Sequence, residues 1–201
     1  MQRFAVFVSG EGTNLQAIIE AVKAGEIKAE LALVFSNCRK AGALVRAQEA
    51  GIKTLFLDRK HYATPQSYER DIVIHLKDEG IDFIVLAGYM KVLSVFFIKK
   101  FPKQVLNVHP SLLPSFKGAR GIKDAFTYGV KVTGVTIHIV DEKMDHGPII
   151  MQEAIKVKEE DTLETLEEKI HKIEHRIYPK AIALFVDGRL KIGLRKAEVL
   201  S

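Results

Sequence analysis

The sequence predicts an α/β protein: a mostly parallel, twisted sheet with helices on both faces, in one domain over residues 1–201. Short runs rich in β-branched and aromatic residues alternate with segments of helical periodicity, which is the βαβ rhythm of a parallel sheet. The strand-like runs are apolar throughout rather than at every second position, which is typical of strands covered on both faces. No internal repeat, low-complexity stretch or linker divides the chain.

The first half of the chain contains the alternating elements. The predicted strands cover residues 4–9, 31–35, 54–57, 83–87 and 105–109, and the predicted helices cover residues 15–24, 41–50 and 68–77. Gly25 is expected to end the first helix, because glycine adopts the backbone conformation that terminates helices. These elements predict five sheet strands connected by helices.

The rhythm changes after about Gly118. Two longer strand-like runs, 132–140 and 149–157, are joined by the turn-rich segment DEKMDHGP, which predicts a C-terminal β-hairpin-like addition to the sheet. A long helix is expected to start near Asp161. Its apolar stripe consists of Leu163, Leu166, Ile170, Ile173 and Ile177. Pro179 should kink or interrupt this helix, because proline lacks the backbone N–H that continues it.

The composition favours a cytoplasmic protein and excludes several partners. The single cysteine, Cys38, permits no disulfide within the chain and fits a reducing compartment. The N-terminal apolar run is too short for a signal peptide, and no stretch approaches the ~18 apolar residues of a membrane span. The net charge is +5, but the basic residues alternate with acidic ones and lack interleaved aromatic side chains. We therefore expect no nucleic-acid and no membrane partner; a monomer and a homodimer are equally compatible.

A glycine-rich turn follows the first predicted strand, in the segment SGEGTNLQ at residues 9–16. Gly10 and Gly12 allow a tight turn and close approach of the backbone to a ligand. Thr13 and Gln16 fit a capping box, which predicts a helix N-terminus with free N–H groups for a phosphate. Leu15 stands where a dinucleotide fingerprint has its third glycine, so a phosphate is favoured over NAD.

A second polar cluster lies in the segment NVHPSLLP at residues 107–114. Asn107 and His109 are two residues apart on a strand, so both side chains point to one face. Ligands bind at the carboxyl ends of strands in open parallel sheets, which predicts an amide and an imidazole side by side in a ligand crevice. A Ser111 nucleophile activated by His109 is the rival interpretation, although Pro110 makes the shared face doubtful and no nucleophile elbow is present.

A third cluster, DEKMDHGP at residues 141–148, has His138 just upstream. Two histidines and two aspartates lie here, but their spacing matches no common zinc pattern, so no metal is expected. An ordinary acidic turn is one interpretation. The functional interpretation is a carboxylate that reaches the His109 imidazole, where it would favour the imidazolium and raise its pKa.

Taken together, these segments resemble the folate-dependent glycinamide ribonucleotide formyltransferases of purine synthesis. The matching pieces, in the expected order along nearly the whole chain, are SGEGTNLQAII, VFSN, VLAGYMKVLS, LNVHPSLLPSFKG, GVTIHIV, DHGPII and EHRIYP. The resemblance implies 10-formyltetrahydrofolate as co-substrate and glycinamide ribonucleotide as acceptor. It implies the following roles: Asn107, His109 and Asp145 as catalytic residues; Gly12, Thr13, Asn14 and Glu174 as substrate-binding residues; Met90, Lys91, Val92, Leu93 and Asn107 as the folate site.

Two departures from the family pattern limit the assignment. Pro65 stands where many relatives have an arginine near the folate tail; Arg59 and Lys60 are candidate replacements, and no tail-binding residue is assigned. The segment GARGIKD lacks histidines that some relatives have. Another folate-dependent formyltransferase or a hydrolase on the same scaffold is the alternative, although methionyl-tRNA formyltransferases have a second domain and the hydrolases an extra N-terminal domain. A non-catalytic nucleic-acid-binding module and an NAD-linked oxidoreductase are more distant alternatives.

Overall fold

The computed structural model describes residues 1–200 and contains a seven-stranded sheet with helices on both faces. The strands are β1 (Arg3–Val8), β2 (Glu30–Ser36), β3 (Lys53–Phe56), β4 (Phe83–Leu86), β5 (Val105–His109), β6 (Val132–Ile139) and β7 (Ile149–Lys156). The helices are α1 (Thr13–Lys23), α2 (Gly42–Glu49), α3 (Pro65–Asp78), α4 (Val95–Ile98), α5 (Gly121–Tyr128) and α6 (Leu163–Val186). A short hairpin of β8 (Leu190–Ile192) and β9 (Ala197–Val199) follows.

The strand order is β3-β2-β1-β4-β5-β6-β7. The first five strands in this order are parallel, whereas β6 pairs antiparallel with β5, and β7 with β6. The predicted fold class and the hairpin-like addition are therefore confirmed. After β3 the chain returns to the other side of β1, so the connections of β1 and β4 leave the sheet in opposite directions. This reversal opens a crevice at the carboxyl ends of the two strands.

Each face of the sheet is covered by its own set of helices, as the continuous apolar strands predicted. In β1, Phe4, Val6 and Val8 pack in one buried cluster with residues of α1 and α6, whereas Ala5 and Phe7 pack in the other with residues of α3 and α4. This alternation follows from the two-residue period of a strand. The parallel half of the sheet is thus fixed between two apolar layers, and only its strand ends reach solvent.

The long C-terminal helix differs from the prediction at Pro179. α6 continues through this residue to Val186, so the predicted interruption is wrong. Pro179 and its neighbours Tyr178 and Ala181 are buried. Burial of apolar side chains on both sides of a proline offsets the loss of one backbone hydrogen bond, which explains the continuous helix.

Several short elements lack a sequence signal strong enough to predict. These are α4, α5, the 3₁₀ turn Arg59–His61, β8 and β9. Each is short and lacks a long helical period, and only α4 has a continuous apolar run like those that identified the short strands of the sheet. No helix within the described part of the chain has the length and apolarity to cross a membrane.

Candidate active site

The crevice at the carboxyl ends of β1 and β4 is bordered by two loops that hydrogen-bond to each other. The amide N–H of Ser9 donates to the carbonyl of Gly88 at 3.1 Å, and the Ser9 hydroxyl accepts from the Met90 N–H at 2.9 Å. The hydroxyl in turn donates to Oδ1 of Asn37 at 2.6 Å. Ser9 therefore joins the glycine-rich turn after β1 to the segment after β4.

The glycine-rich turn leads directly into α1, but without the predicted capping box. The N-cap is Gly12, no side chain caps the helix, and Gln16 instead donates to Glu20 at 3.0 Å. Gly12 has a φ of 76°, and a Cβ there would lie 2.5 Å from Cβ of Ala43, so only glycine fits. The first turn of α1 keeps free N–H groups at the positive end of the helix dipole, which suits a phosphate.

Asn14 and Glu174 meet beside this helix terminus, 160 positions apart in sequence. Nδ2 of Asn14 donates to Oε2 of Glu174 at 2.9 Å, and Oδ1 of Asn14 is buried without a hydrogen-bond partner. Glu174 is 5% exposed, and burial raises the pKa of its carboxyl group, against the lowering effects of Asn14 and His171. The pair offers an acceptor and a carboxyl group to a polar ligand.

A cavity of about 230 Å³ lies at the ends of β4 and β5. Its walls contain every residue predicted for catalysis and for the folate site: Met90, Lys91, Val92, Leu93, Asn107, His109 and Asp145. His138 lines it as well. The structure thus brings these side chains from three separate segments to one place.

The apolar part of the wall is the segment after β4. Met90 and Val92 are 63% and 77% exposed and lie at the edge of the cavity, where they present apolar surface to it. The segment is fixed at its far end by buried Glu69 of α3, which accepts hydrogen bonds from the Ser94 N–H at 2.8 Å and from the Ser94 hydroxyl. An apolar surface on a held loop suits a flat aromatic ligand.

The polar part of the wall begins with Asn107, which lies opposite His138 in the β5–β6 pair. Nδ1 of His138 donates to the carbonyl of Ile139 at 3.0 Å, so Nε2 carries the lone pair and accepts from Nδ2 of Asn107 at 3.1 Å. Burial lowers the pKa of His138, against the raising effects of Ile139 and Asp145. A neutral His138 therefore orients the Asn107 amide, and one amide N–H remains for a ligand.

His109 is buried, and its two ring nitrogens have different surroundings. Nε2 donates to the carbonyl of Phe116 at 2.8 Å. Nδ1 faces Oδ2 of Asp145 at 3.7 Å and is the nitrogen left for chemistry. Ser111 is fully buried, and its hydroxyl donates to the carbonyl of Ser115 at 2.6 Å. The rival serine nucleophile is therefore not supported, because the Ser111 hydroxyl is buried and bonds to a backbone carbonyl instead of a His109 ring nitrogen.

Asp145 lies between the two imidazoles. Its Oδ2 accepts from the Gly118 N–H at 2.7 Å, and its Oδ1 lies 3.8 Å from Nε2 of His138. The φ of Asp145 is 47°, in the left-handed region that non-glycine residues rarely adopt. Such strain is concentrated at functional sites, where neighbouring contacts hold it in place.

Other regions of the chain are less suited to chemistry. A larger, open groove of about 640 Å³ lies along α1 and α6, with a wall of mixed polar and apolar residues, and of the predicted site residues only Thr13 borders it. Among residues 1–200, no group of three or more His, Cys, Asp or Glu side chains is arranged to hold a metal ion.

Pro65, which stands where many relatives have an arginine near the folate tail, begins α3 and is exposed. The candidate replacement Arg59 donates to the carbonyl of Tyr62.

The sequence pattern suggests His138 only as a possible metal ligand, and the contact of this residue with Asn107 was not predicted. The signal was present, since both residues stand at inward positions of consecutive predicted strands. What the sequence lacked was the register that pairs them. The Gly118 N–H, which holds Asp145, has no sequence signal, because every residue except proline supplies one.

An open α/β sheet with an amide, two imidazoles and a carboxylate in a cavity at its strand ends defines an enzyme of acid–base chemistry. The sequence profile described as formyl transferase matches residues 2–182. A solved structure of glycinamide ribonucleotide transformylase 1 from Symbiobacterium toebii superimposes with a TM-score of 0.97 at 42% identity, covering 100% of this chain and 95% of that one.

Two curated relatives are also similar to this chain over most of its length. The phosphoribosylglycinamide formyltransferase of Bacillus subtilis is 41% identical over 182 residues, which cover 90% of this chain and 93% of the relative. The trifunctional purine biosynthetic protein adenosine-3 of Gallus gallus is 44% identical over 191 residues, 95% of this chain but only 19% of that protein. The chain belongs to the formyl transferase family.

Proposed function

We propose that this protein transfers the formyl group of 10-formyltetrahydrofolate to the amine of glycinamide ribonucleotide, a step of de novo purine biosynthesis. The observation that carries the proposal is that Asn107, His109 and Asp145 line one and the same cavity. Through Ser9 this cavity is joined to the glycine-rich turn before α1, whose N-terminus suits a phosphate. Relatives that match over nearly their whole length are named for this reaction. The alternative folate-dependent reactions on the same scaffold are not favoured by those names.

The two substrates would approach from opposite sides of Ser9. The phosphate would bind the free N–H groups of Thr13 and Asn14 after Gly12. Glu174 would accept a hydrogen bond from a hydroxyl group of the ribose. The folate would lie against Met90, Lys91, Val92 and Leu93, with its reactive end beside Asn107. Because Ser9 bonds to both loops, the amine and the formyl carbon would be held at reacting distance, which accounts for a large share of rate acceleration in two-substrate enzymes.

In the chemical step the amine nitrogen attacks the formyl carbon and the carbonyl oxygen gains the negative charge. The free N–H of Asn107 donates to this oxygen, and Nδ1–H of an imidazolium at His109 is the second donor. One preorganised donor contributes about 3 kcal/mol to transition-state stabilisation. Collapse of the tetrahedral centre breaks the bond between the carbon and N10 of the folate. The proton lost by the amine reaches N10 through His109 or a water molecule.

Asp145, whose Oδ2 lies 3.7 Å from Nδ1 of His109, would orient the ring and face its positive charge during the reaction. The Phe116 carbonyl holds the ring in one orientation throughout. Neither a covalent enzyme intermediate nor a metal ion is needed for this sequence of steps. The expected cytoplasmic location, based on the lone Cys38, stays a prediction.

The test is release of tetrahydrofolate from 10-formyltetrahydrofolate with glycinamide ribonucleotide, methionyl-tRNA or water as acceptor. We expect turnover with the ribonucleotide only. Turnover with water alone would identify a hydrolase, and transfer to tRNA would identify the other formyltransferase class. Salt-dependent tRNA binding without folate-dependent turnover would indicate a nucleic-acid-binding module.

The assignment of residues is tested separately with His109→Ala, Asp145→Ala and Asn107→Asp. Each should retain the far-ultraviolet circular dichroism of the wild type and lose at least ~10²-fold in kcat, because each removes a proposed donor to the oxyanion or, for Asp145, the carboxylate that supports one. Asn107→Asp also places a negative acceptor where a donor is needed. Wild-type turnover in any of the three would remove that residue from the catalytic group.

A further inference from the structure

The loop 140–148, which carries Asp145 between β6 and β7, is exposed at Met144, and its backbone is strained at Asp145. The Gly118 N–H holds the Asp145 carboxylate from within. Gly147 fixes the exit from the loop, since a Cβ there would lie 1.9 Å from the Ile139 carbonyl oxygen. A strained conformation persists only where several contacts determine it. Further contacts are therefore expected on the side of the loop that faces away from Gly118.

The residue next to Asp145 makes these outer contacts. Nδ1 of His146 donates to Oδ2 of Asp141 at 2.7 Å, within the loop. Nε2 of His146 then carries the lone pair and lies 3.0 Å from Nη1 of Arg195, which donates to it. The same guanidinium nitrogen donates to the carbonyl oxygen of His146. Arg195 thus bonds both the side chain and the backbone of the residue that follows Asp145.

Arg195 lies in the turn of the β8–β9 hairpin, 50 positions from Asp145 in sequence. The hairpin is attached to the body of the protein independently of this arginine. Lys103 donates to the carbonyl of Ile192 at 2.8 Å, Lys196 bridges to Ile149 at the start of β7, and Ala197 packs against the main buried cluster. The turn that presents Arg195 is therefore held at both strands, and its position does not depend on the loop.

We propose that the β8–β9 hairpin clasps the loop 140–148, with Arg195 and His146 as positioning residues that keep Asp145 beside His109. The catalytic consequence of this inference rests on the proposed function. The contact between the hairpin and the loop does not depend on which reaction the protein catalyses. Neither residue touches the reacting groups. Asp141, Glu142, Lys143 and Met144 of the same loop line the cavity, so the clasp also shapes the folate side of the site.

The kinetic test uses Arg195→Ala and His146→Ala, with Lys191→Ala as matched control. Lys191 is an exposed cation on the same hairpin, and its side chain makes no hydrogen bond or ion pair with residues 1–200. We expect Arg195→Ala to lower kcat and raise KM for 10-formyltetrahydrofolate by about fivefold each, the effect of one net hydrogen bond. KM for glycinamide ribonucleotide should not change, because its proposed site at Asn14 and Glu174 is formed by α1 and α6 and not by the loop.

A double variant and a conservative variant test whether Arg195 and His146 act through the contact between them. The effects of Arg195→Ala and His146→Ala should combine to less than their sum, because both remove the side-chain contact between these two residues. Arg195→Lys retains one donor and should recover part of the activity. Equal kinetics in Arg195→Ala and Lys191→Ala would overturn the proposal. So would a fall in kcat with both KM values unchanged and a lower melting temperature, which is the signature of general destabilisation.

Hydrogen exchange tests the clasp without any substrate. Peptides covering 140–148 should exchange faster in Arg195→Ala than in the wild type or in Lys191→Ala, while peptides from α1 should not change. Unchanged exchange in the loop would refute the clasp even if the enzyme is active. Faster exchange without glycinamide ribonucleotide turnover in the wild type would support the clasp and reject the proposed function, so the two failures are distinguishable.

Discussion

The Asn107 amide donates to Nε2 of His138 at 3.1 Å, because the other ring nitrogen of His138 is committed to the Ile139 carbonyl. This pair fixes which end of the Asn107 amide is the nitrogen. It places an N–H rather than a carbonyl toward the cavity, where the oxyanion would form. A buried, neutral histidine thus determines the polarity of the proposed oxyanion site without contacting the substrate.

His138→Leu removes the acceptor and frees the Asn107 amide to rotate. We expect kcat to fall about tenfold, the value of one buried hydrogen bond, while His138→Gln retains an acceptor and recovers part of the loss. Thr133→Val is the control on the same strand, since the Thr133 hydroxyl is buried without a partner. Steady-state kinetics in which His138→Leu matches Thr133→Val would contradict this role.

Stability should fall as the pH is lowered, partly through His138. Burial lowers the pKa of His138 below its ordinary 6.5 in the folded protein. Between the two values the unfolded chain binds the proton and the folded one does not, so stability is present above pH 6.5 and is lost below it. His138→Gln should therefore show a smaller fall in the urea midpoint between pH 7.5 and pH 5.5. Burial also lowers the pKa of His175, so the variant should keep part of the pH dependence.

Glu174→Gln should make the protein more stable and a poorer enzyme. Burial raises the pKa of Glu174, so its contribution to stability is complete below the ordinary 4.5 and is lost as the pH rises through the folded value. The amide removes this cost, and at pH 8 we expect a melting temperature about 2–4 °C higher for each ~1 kcal/mol gained. KM for the ribonucleotide should rise. Glu168→Gln, exposed on the same helix, should change neither quantity.

Glu69→Gln should loosen the apolar wall of the cavity. The Glu69 carboxylate accepts two hydrogen bonds from Ser94, and an amide replaces one acceptor by a donor. We expect KM for 10-formyltetrahydrofolate to rise about fivefold with an unchanged KM for the ribonucleotide. Arg70→Ala changes an exposed neighbour and serves as the control. An equal rise in both KM values would indicate a general disturbance of α3 instead.

The sheet strands and the long helices were predictable because each has a continuous apolar run or a sustained helical period. Strand β5 was predicted with its observed bounds, and the apolar stripe of α6 placed that helix within two residues of its start. The capping box at Thr13 and the interruption at Pro179 were wrong predictions, for one reason. Local preference at a single residue yields to packing, here the contact of Gly12 with Ala43 and the buried sides of Pro179.

The amino-acid sequence alone determined the sheet, its two apolar layers and the chemical types of side chain at the strand ends. These follow from periodicity, which is a local property. Only the tertiary structure decided which groups meet: His138 beside Asn107, the Gly118 N–H on Asp145, and Arg195 on His146. Such pairings depend on strand register and loop paths set by the packing of the whole chain, and no local pattern encodes them.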